Sequence, residues 1–599
     1  LERDHLVYLA SDGRELELPL PDDELHLPRH RLTLRRLPGE RWQLEDHAGI
    51  RREFAAIPGD PRPGMFLLTE RRDRLGHPLR CMHDEHARLI AVQADGDRQI
   101  RLHYHDDGLL AQIDLPDPDG PGFLPHVRYM YTQGDLTEVH DALGQITRYR
   151  HEHHRIVEEQ PPGGLRFHFS YASDAPDAPC IRTWGDGGII DHRLIFDHAR
   201  RTTVVINACQ ETTIYRADPR GLVVEIQDPR GATTRFTHDD HLRPTEIVDP
   251  LGHVTRLEYD PRGNCIRHHA PDGGLTLTTH DGRLDLPVAR TDAAGGQWRW
   301  THDAHGRLLR ATDPLGRSTV YHHDLSPETG HTVVTTIHPD GRSERRTLDP
   351  AGRLLRVDRS DGTSIHHTLD RRGRPRRSVD ERGRVELRDH DLLGRLTRHT
   401  LPDGQQHHFS HDPSGQVVRA CGPHSELRCT YTGLGWLATC GEGNTPPLTL
   451  ERDLEGRLTR VAGPGGTLLR IERDPAGRVR LTVDALGVRR RFTRDRCGRL
   501  IERRPDGDAS IRFTCDPAGR IIAVDHGDGH QHIRDVYTYR PDGAMLSATR
   551  HHPDGAVSIV ERELDALGHI LRERQDDHDV RAEYDPHGRL VRLRSSLGA

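Results

Sequence analysis

The chain of 599 residues contains no lysine, so all 85 of its basic residues are arginine. That absence removes Schiff-base chemistry and the phosphate-binding P-loop, both of which depend on a lysine amine. No run approaches the ~18–20 consecutive apolar residues of a membrane-crossing helix. The nine cysteines (Cys81, Cys180, Cys209, Cys265, Cys421, Cys429, Cys440, Cys497 and Cys515) include no C-x-x-C pair. Neither a zinc ribbon nor a disulfide framework is expected, and the thiols read as small, isolated strand residues. No G-x-S-x-G elbow is present, and no cysteine has a recognisable histidine partner. Apolar matter is also scarce: 33% of residues are hydrophobic and 5% aromatic, against 30% charged. The length would suggest about three to six ordinary domains, but so few apolar residues cannot fill that many cores. A net charge of −8 and a pI of about 6.7 leave no electrostatic footprint for nucleic acid or an anionic membrane.

What the chain has instead is turn residues and a repeat. Glycine (58) and proline (40) are abundant, as expected of a chain that reverses direction often. Asp-x-x-Gly recurs at one fixed spacing, with copies at Asp218 and Asp260 and degenerate ones at Asp197 and Asp239. The same 21-residue step separates Asp303 from Asp324, joins Asp349, Asp370, Asp391 and Asp412 as a second series, and joins Asp453, Asp474, Asp495 and Asp516 as a third. A second set lies midway, at Asp228, Asp249, Asp313, Asp380 and Asp484. Asp first, Pro second and Gly fourth are the preferences of a type I turn, as in Asp249-Pro250-Leu251-Gly252 and Asp474-Pro475-Ala476-Gly477. Between turns the residues alternate, as in Val479-Arg480-Leu481-Thr482-Val483. Period-2 alternation with a turn every ten or eleven residues means two short antiparallel strands per unit.

One such hairpin cannot bury its apolar face alone, so neighbours must join into a continuous sheet. The expected fold is all-β, a long coiled sheet of stacked antiparallel hairpins with no substantial helical domain. Residues 197–599 form the repeat, about nineteen units and nearly forty strands, which must coil or close because long open sheets twist. Residues 1–196 read as an irregular β-rich region preceding and capping the repeat, with a loop-rich junction at 157–180.

At this point the sequence resembles the bacterial Rhs, or YD-repeat, proteins. The carrying residues are Tyr259-Asp260-Pro261-Arg262-Gly263-Asn264, Tyr584-Asp585-Pro586-His587-Gly588-Arg589-Leu590, and degenerate copies such as Leu348-Asp349-Pro350-Ala351-Gly352-Arg353-Leu354. The stretch Trp184–Leu194 also resembles one that precedes the main repeats in that family, and the likeness is good over 125–599 and looser over 1–124. The resemblance implies a β-stranded shell, or cocoon, around a hollow holding a C-terminal polymorphic toxin. It further implies a secreted interbacterial effector, often exported by type VI secretion, with a cognate immunity protein. The alternative is a cell-surface adhesion or glycan-binding module. No PAAR-like or membrane-inserting segment is recognised, and the family's autoproteolytic aspartate motif has no match. Asp313-Pro314-Leu315-Gly316 is superficially similar to it but sits in mid-repeat register and reads as a turn. A chain that opens on Leu1 and stops inside a repeat is expected to be a piece of a longer protein.

The expected function is that of a non-enzymatic shell whose partners are its own toxin, the secretion apparatus and the immunity protein. No catalytic, cofactor-binding or metal site is assigned, and no nucleic-acid or membrane partner is expected of this piece. Asp525-His526-Gly527-Asp528-Gly529-His530-Gln531-His532 has the donors of a zinc or nickel site, and His151-Glu152-His153-His154 superficially resembles a zincin. Both are expected on solvated turns or strand faces. His238, His302, His323 and His411 precede a repeat Asp where the family prefers Tyr, and are expected to pack as rings. The runs Arg371–Arg377 and Arg489–Arg491 are expected to form cross-strand ion pairs. Trp298 and Trp300 share a face, which a glycan-binding module would turn outward. Titrating all 45 histidines would move the charge from −8 to −8 + 45 = +37, so acid is expected to loosen a thin shell.

Overall fold

In the computed structural model, residues 5–596 are described, except 61, 63, 96–97 and 528–531. A first hairpin, β1 (His5–Leu9) and β2 (Glu15–Pro19), stands alone. The strands from β3 (Glu24–Leu27) to β55 (Leu590–Ser595) form one antiparallel sheet of 53 strands. Each pairs only with its sequence neighbours, and no ladder joins β55 back to β3 among the described residues, so the sheet is open. The repeat contributes 37 of these strands, β19 (Thr202–Ile206) to β55, as two strands per repeat step require. The sheet also continues without interruption through β3–β18, so residues before the repeat belong to the same wall. The one helical element among the described residues is a single 3₁₀ turn, Asp186–Gly188.

The turns explain the signature. In Asp260–Gly263 the Gly263 amide donates to the Asp260 carbonyl at 3.0 Å, while the Asp260 amide donates to Asn264 O at 2.9 Å. Asp260 Oδ1 accepts the amides of Arg262 (2.9 Å) and Asn264 (2.8 Å). Gly263 has φ +93°, a left-handed conformation that an L side chain resists. Asp324 departs from the expectation: it lies inside β30 (Ser318–Leu325), and the reversal comes later, with Gly330 N bonded to Ser326 O.

The two edges of the sheet differ. At the edge carrying the Tyr-Asp turns nearly every hairpin has a bulge, as between Glu258 and Tyr259, between Thr301 and His302, and between Thr493 and Arg494. Turns of the Asp249 kind on the other edge keep plain register, as in Val248↔Val254. A bulge lengthens one side of the ladder and adds twist. Concentrated at one edge, with exceptions such as the shift between Val461 and Ala462 on the other, it favours coiling of the sheet.

The coil closes on itself through turn contacts between bulged-edge turns and plain-edge turns far earlier in the chain. Arg478 reaches back 250 residues to Asp228 (3.2 Å), and Arg520 reaches back 248 residues to Asp272 (2.6 Å). The Ile190 amide likewise donates to Leu454 O (2.9 Å). Those separations measure one revolution, and the wall makes somewhat more than two. Very little is buried within it. The accessible surface is 34,529 Å², whereas a compact monomer of 67.9 kDa would expose about 21,000 Å². A wall one sheet thick accounts for the excess, since both faces meet solvent. The one cluster of buried hydrophobic residues among those described is Leu18, Leu34, Trp42 and Leu44, where the β1–β2 hairpin lies against β4 (Leu32–Leu37) and β5 (Arg41–Asp46).

Candidate functional site: the curved wall and its seams

Exposure alternates along each strand. In β28 (Gln297–His302) Gln297, Arg299 and Thr301 are exposed while Trp298, Trp300 and His302 are half-buried. On a curved sheet, side chains of the convex face splay into solvent and those of the concave face converge, so exposure identifies the two faces. The convex face is rich in paired charges, interspersed with exposed apolar residues such as Ile195, Leu277 and Leu387. Glu225 accepts from Arg235, its partner across the ladder, at 3.0 Å, and Glu246 accepts from Arg256 at 3.0 Å. The concave face carries Ile226, Phe236, Ile247, Leu257, Trp298 and Trp300, all half-buried, with no buried hydrophobic cluster over them among the described residues. Trp298 and Trp300 thus face inward, against the requirement of an outward glycan platform.

The residue before the turn Asp ties its strand to the previous hairpin. Tyr259 Oη donates to Pro244 O at 2.8 Å and Tyr584 to Ile570 O at 3.0 Å, and Tyr104, before a turn that opens on His105, donates to Leu89 O at 2.8 Å. His323 holds the equivalent repeat position, although Asp324 after it stays in the strand, and reaches Leu308 O through Nε2 at 2.9 Å; Arg473, before the turn residue Asp474, reaches Leu458 O at 3.1 Å. Three side-chain types therefore serve one carbonyl. His323 makes a polar link as well as packing. His238 and His302 fill the position as half-buried rings whose Nδ1 has no hydrogen-bond partner. Burial, followed by the charge of Arg74, holds His302 below the ordinary imidazole range; burial and Arg395 do the same for His411.

The arginine that follows the turn glycine was not singled out from the sequence, yet it stitches the bulged edge. Arg374 donates through Nε to Asp370 Oδ2 (2.6 Å) and through Nη1 to Asp391 O, in the next turn (2.8 Å). Arg395, Arg499 and Arg243 repeat the arrangement. A planar guanidinium supplies two diverging donors, which an ammonium on a flexible stem does not. The signal was present as the Arg in Asp-x-x-Gly-Arg. Burial alone would raise the Asp391 carboxyl, but the bonds from Arg395 overcome it and hold it below the usual carboxylate range.

Polar and ionic contacts run along the seam. Arg457 bridges Asp453 (2.8 Å) in its own turn and Glu211 (3.0 Å) in the earlier coil. Cys497 Sγ lies 3.2 Å from Asp249 Oδ2, and burial together with that carboxylate pushes the thiol up to about 11, so it stays a donor. His587 Nε2 meets Asp340 at 2.5 Å, and His192 meets Glu455 at 3.3 Å. The run Arg371–Arg377 corrects its expectation: Arg371 and Arg372 donate to the carbonyls of Gly122 (3.0 Å) and Pro116 (2.7 Å), and Arg376 pairs with Asp119. These arginines lie at a seam, not on the convex face, because the coil brings together positions one revolution apart.

The two histidine clusters take structural places. His153 and His154, both at positive φ, fill a tight turn, and His154 bonds Asp135 at 2.9 Å. His526 pairs with Asp535 (3.2 Å) and His532 with Asp525 (3.0 Å), while Asp528, Gly529, His530 and Gln531 lie outside the described residues. Among the described residues no three His, Cys, Asp or Glu gather as a metal site. Asp313 spends its oxygens on the amides of Leu315 and Arg317 and on the Arg317 guanidinium, as a turn residue does.

The RHS repeat family model matches residues 218–252, 238–275 and 280–325. The chain carries RHS repeats. Toxin protein Tse5 of Pseudomonas aeruginosa is 28% identical over 239 residues, which cover 35% of this Rhs chain and 17% of Tse5. The crystal structure of TcdB2-TccC3 overlays 98% of the Rhs chain and 38% of its own length at 13% identity, with a TM-score of 0.46. The Photorhabdus luminescens Tc holotoxin pore overlays 94% and 29% respectively at 15% identity, with a TM-score of 0.39. Both scores fall below 0.5, and the fold stands on the strand ladder itself. The Rhs chain spans well under half the length of these relatives.

Proposed function

We propose that this Rhs protein is a non-enzymatic shell that encloses a toxin polypeptide, encoded as a C-terminal continuation, until a secreted interbacterial effector is delivered. Type VI secretion and a cognate immunity protein fit that reading. The observation that carries it is the excess surface: a wall one sheet thick, coiled more than twice, with a half-exposed apolar concave face. Such a face suits an incompletely folded chain, whose apolar residues find partners without the wall needing a core of its own. The charged convex face and the ionic seams keep the outside soluble and the coils in register. An adhesion role would need its aromatic pair outward, and Trp298 and Trp300 lie on the concave face.

Small-angle scattering tests the shell. A compact 599-residue protein has a radius of gyration of about 25 Å. The shell should exceed that and show a low-density centre by negative stain. A solid particle with that compact radius would defeat the proposal.

A further inference from the structure

Nine thiols are free in this chain, and among the described residues only two of them touch. Cys429 in β40 (Glu426–Tyr431) and Cys440 in β41 (Leu437–Glu442) are directly opposed across the ladder, with their sulfurs 3.5 Å apart. The register around them is fixed. Arg428 opposes Gly441 on one side, and on the other Thr430 opposes Thr439 with their hydroxyls 2.7 Å apart. The bulge comes only after Thr430. Directly opposed residues in an antiparallel ladder have Cα atoms about 4.5–5.5 Å apart, inside the ~4.4–6.8 Å window of disulfides. The sulfurs therefore need only side-chain rotation to bond. Other cysteine contacts are of a different kind: Cys180 and Cys265 donate to backbone carbonyls at 3.4 Å, and Cys497 donates to Asp249.

We infer that Cys429 and Cys440 are an oxidisable dithiol site, which forms a cross-strand disulfide when the chain meets a disulfide-bearing oxidant. The two sulfurs divide the work by exposure. Cys429 is 8% exposed and Cys440 is half-buried. Cys440, as thiolate, attacks one sulfur of the oxidant, releasing a thiolate leaving group and leaving a mixed disulfide on Cys440. Cys429 then loses its proton and attacks Cys440 Sγ, expelling the second oxidant thiol. Two protein thiols are oxidised, one external disulfide is reduced to two thiols, and no other reactant is needed. Burial and the neighbouring Cys440 hold the Cys429 thiol above its usual value, which slows direct attack by it and favours this order. The product covalently joins the two strands of one wall hairpin. It is absent in a reducing cytoplasm and forms in an oxidising compartment such as a periplasm.

The test uses the intact chain and oxidised glutathione as the probe. After oxidation, iodoacetamide should label seven cysteines instead of the nine free in the reduced chain, and a peptide linking Cys429 to Cys440 should appear by mass spectrometry. Amide exchange in the Glu426–Glu442 hairpin should slow by about tenfold or more on oxidation. Cys429→Ser should trap glutathione on Cys440, whereas Cys497→Ser should leave the bridge unchanged. Nine labelled cysteines after oxidation, a persistent wild-type glutathione adduct or a bridge between other cysteines would overturn the assignment. The wild-type measurements decide the matter even if a serine variant misfolds.

Discussion

At the residue scale, the position before the repeat Asp is chosen for reach. Tyr259, His323 and Arg473 all deliver a donor to the carbonyl fifteen positions back, so the chemistry tolerated there is wider than the family letter suggests. Histidine brings a pH dependence that tyrosine does not. Burial, aided by nearby arginines, depresses His302, His390 and His411. A histidine depressed in the folded state stabilises fully above its unfolded value of about 6.5, and that contribution fades as the pH falls through the folded value. The melting temperature should therefore be lower at pH 5 than at pH 8. Replacing the three together (His302→Tyr, His390→Tyr, His411→Tyr) should narrow the gap. Equal melting temperatures for the wild type at the two pH values would remove this account. The ring role of His302 and His411 was legible from sequence because both stand where the repeat puts Tyr; His390, before Asp391, holds the same place without having been read there. The second bond of turn arginines such as Arg374 and Arg499 was not legible, because its acceptor is a backbone carbonyl in the next unit.

At the element scale, the turn geometry persists where its signature decays. Ala87 and Leu242 occupy the glycine position of degenerate turns at φ +61° and +65°, and Leu242 N still bonds Asp239 O at 3.1 Å. Glycine matters through its backbone alone at Gly252, where φ is +87° and an added methyl would meet nothing within 4 Å. Gly252→Ala should cost about 1–2 kcal/mol by urea denaturation. Gly282→Ala, with open space and no positive φ, should be near neutral, and equal costs would show that the strain argument is misplaced. The repeat strands were legible because type I turns leave Asp and Gly at fixed offsets. Strands before the repeat were less so, since turns such as Gln133-Gly134 and His153-His154 reverse the chain in two positive-φ residues and leave no Asp-x-x-Gly.

For the whole molecule, the surface excess has a thermodynamic counterpart. Apolar burial sets the heat capacity of unfolding, which is about 12–15 cal/mol/K per residue in compact domains. Calorimetry on this chain should give a value per residue below that range; one inside it would indicate a packed interior. That the sheet must coil followed from strand number, but its revolution did not, because curvature accumulates from bulges that no single repeat displays. Contacts such as Arg478 with Asp228 are invisible to local pattern for the same reason. The seam pairs unlike edges, bulged against plain, and this restricts how such a chain can change length. Removing a single strand would reverse every later strand and bring like edges face to face. Removing a hairpin preserves polarity and merely slides one coil along the other by a notch, as a rack moves past a pinion. Gains and losses of sequence in this wall are therefore quantised in pairs of strands.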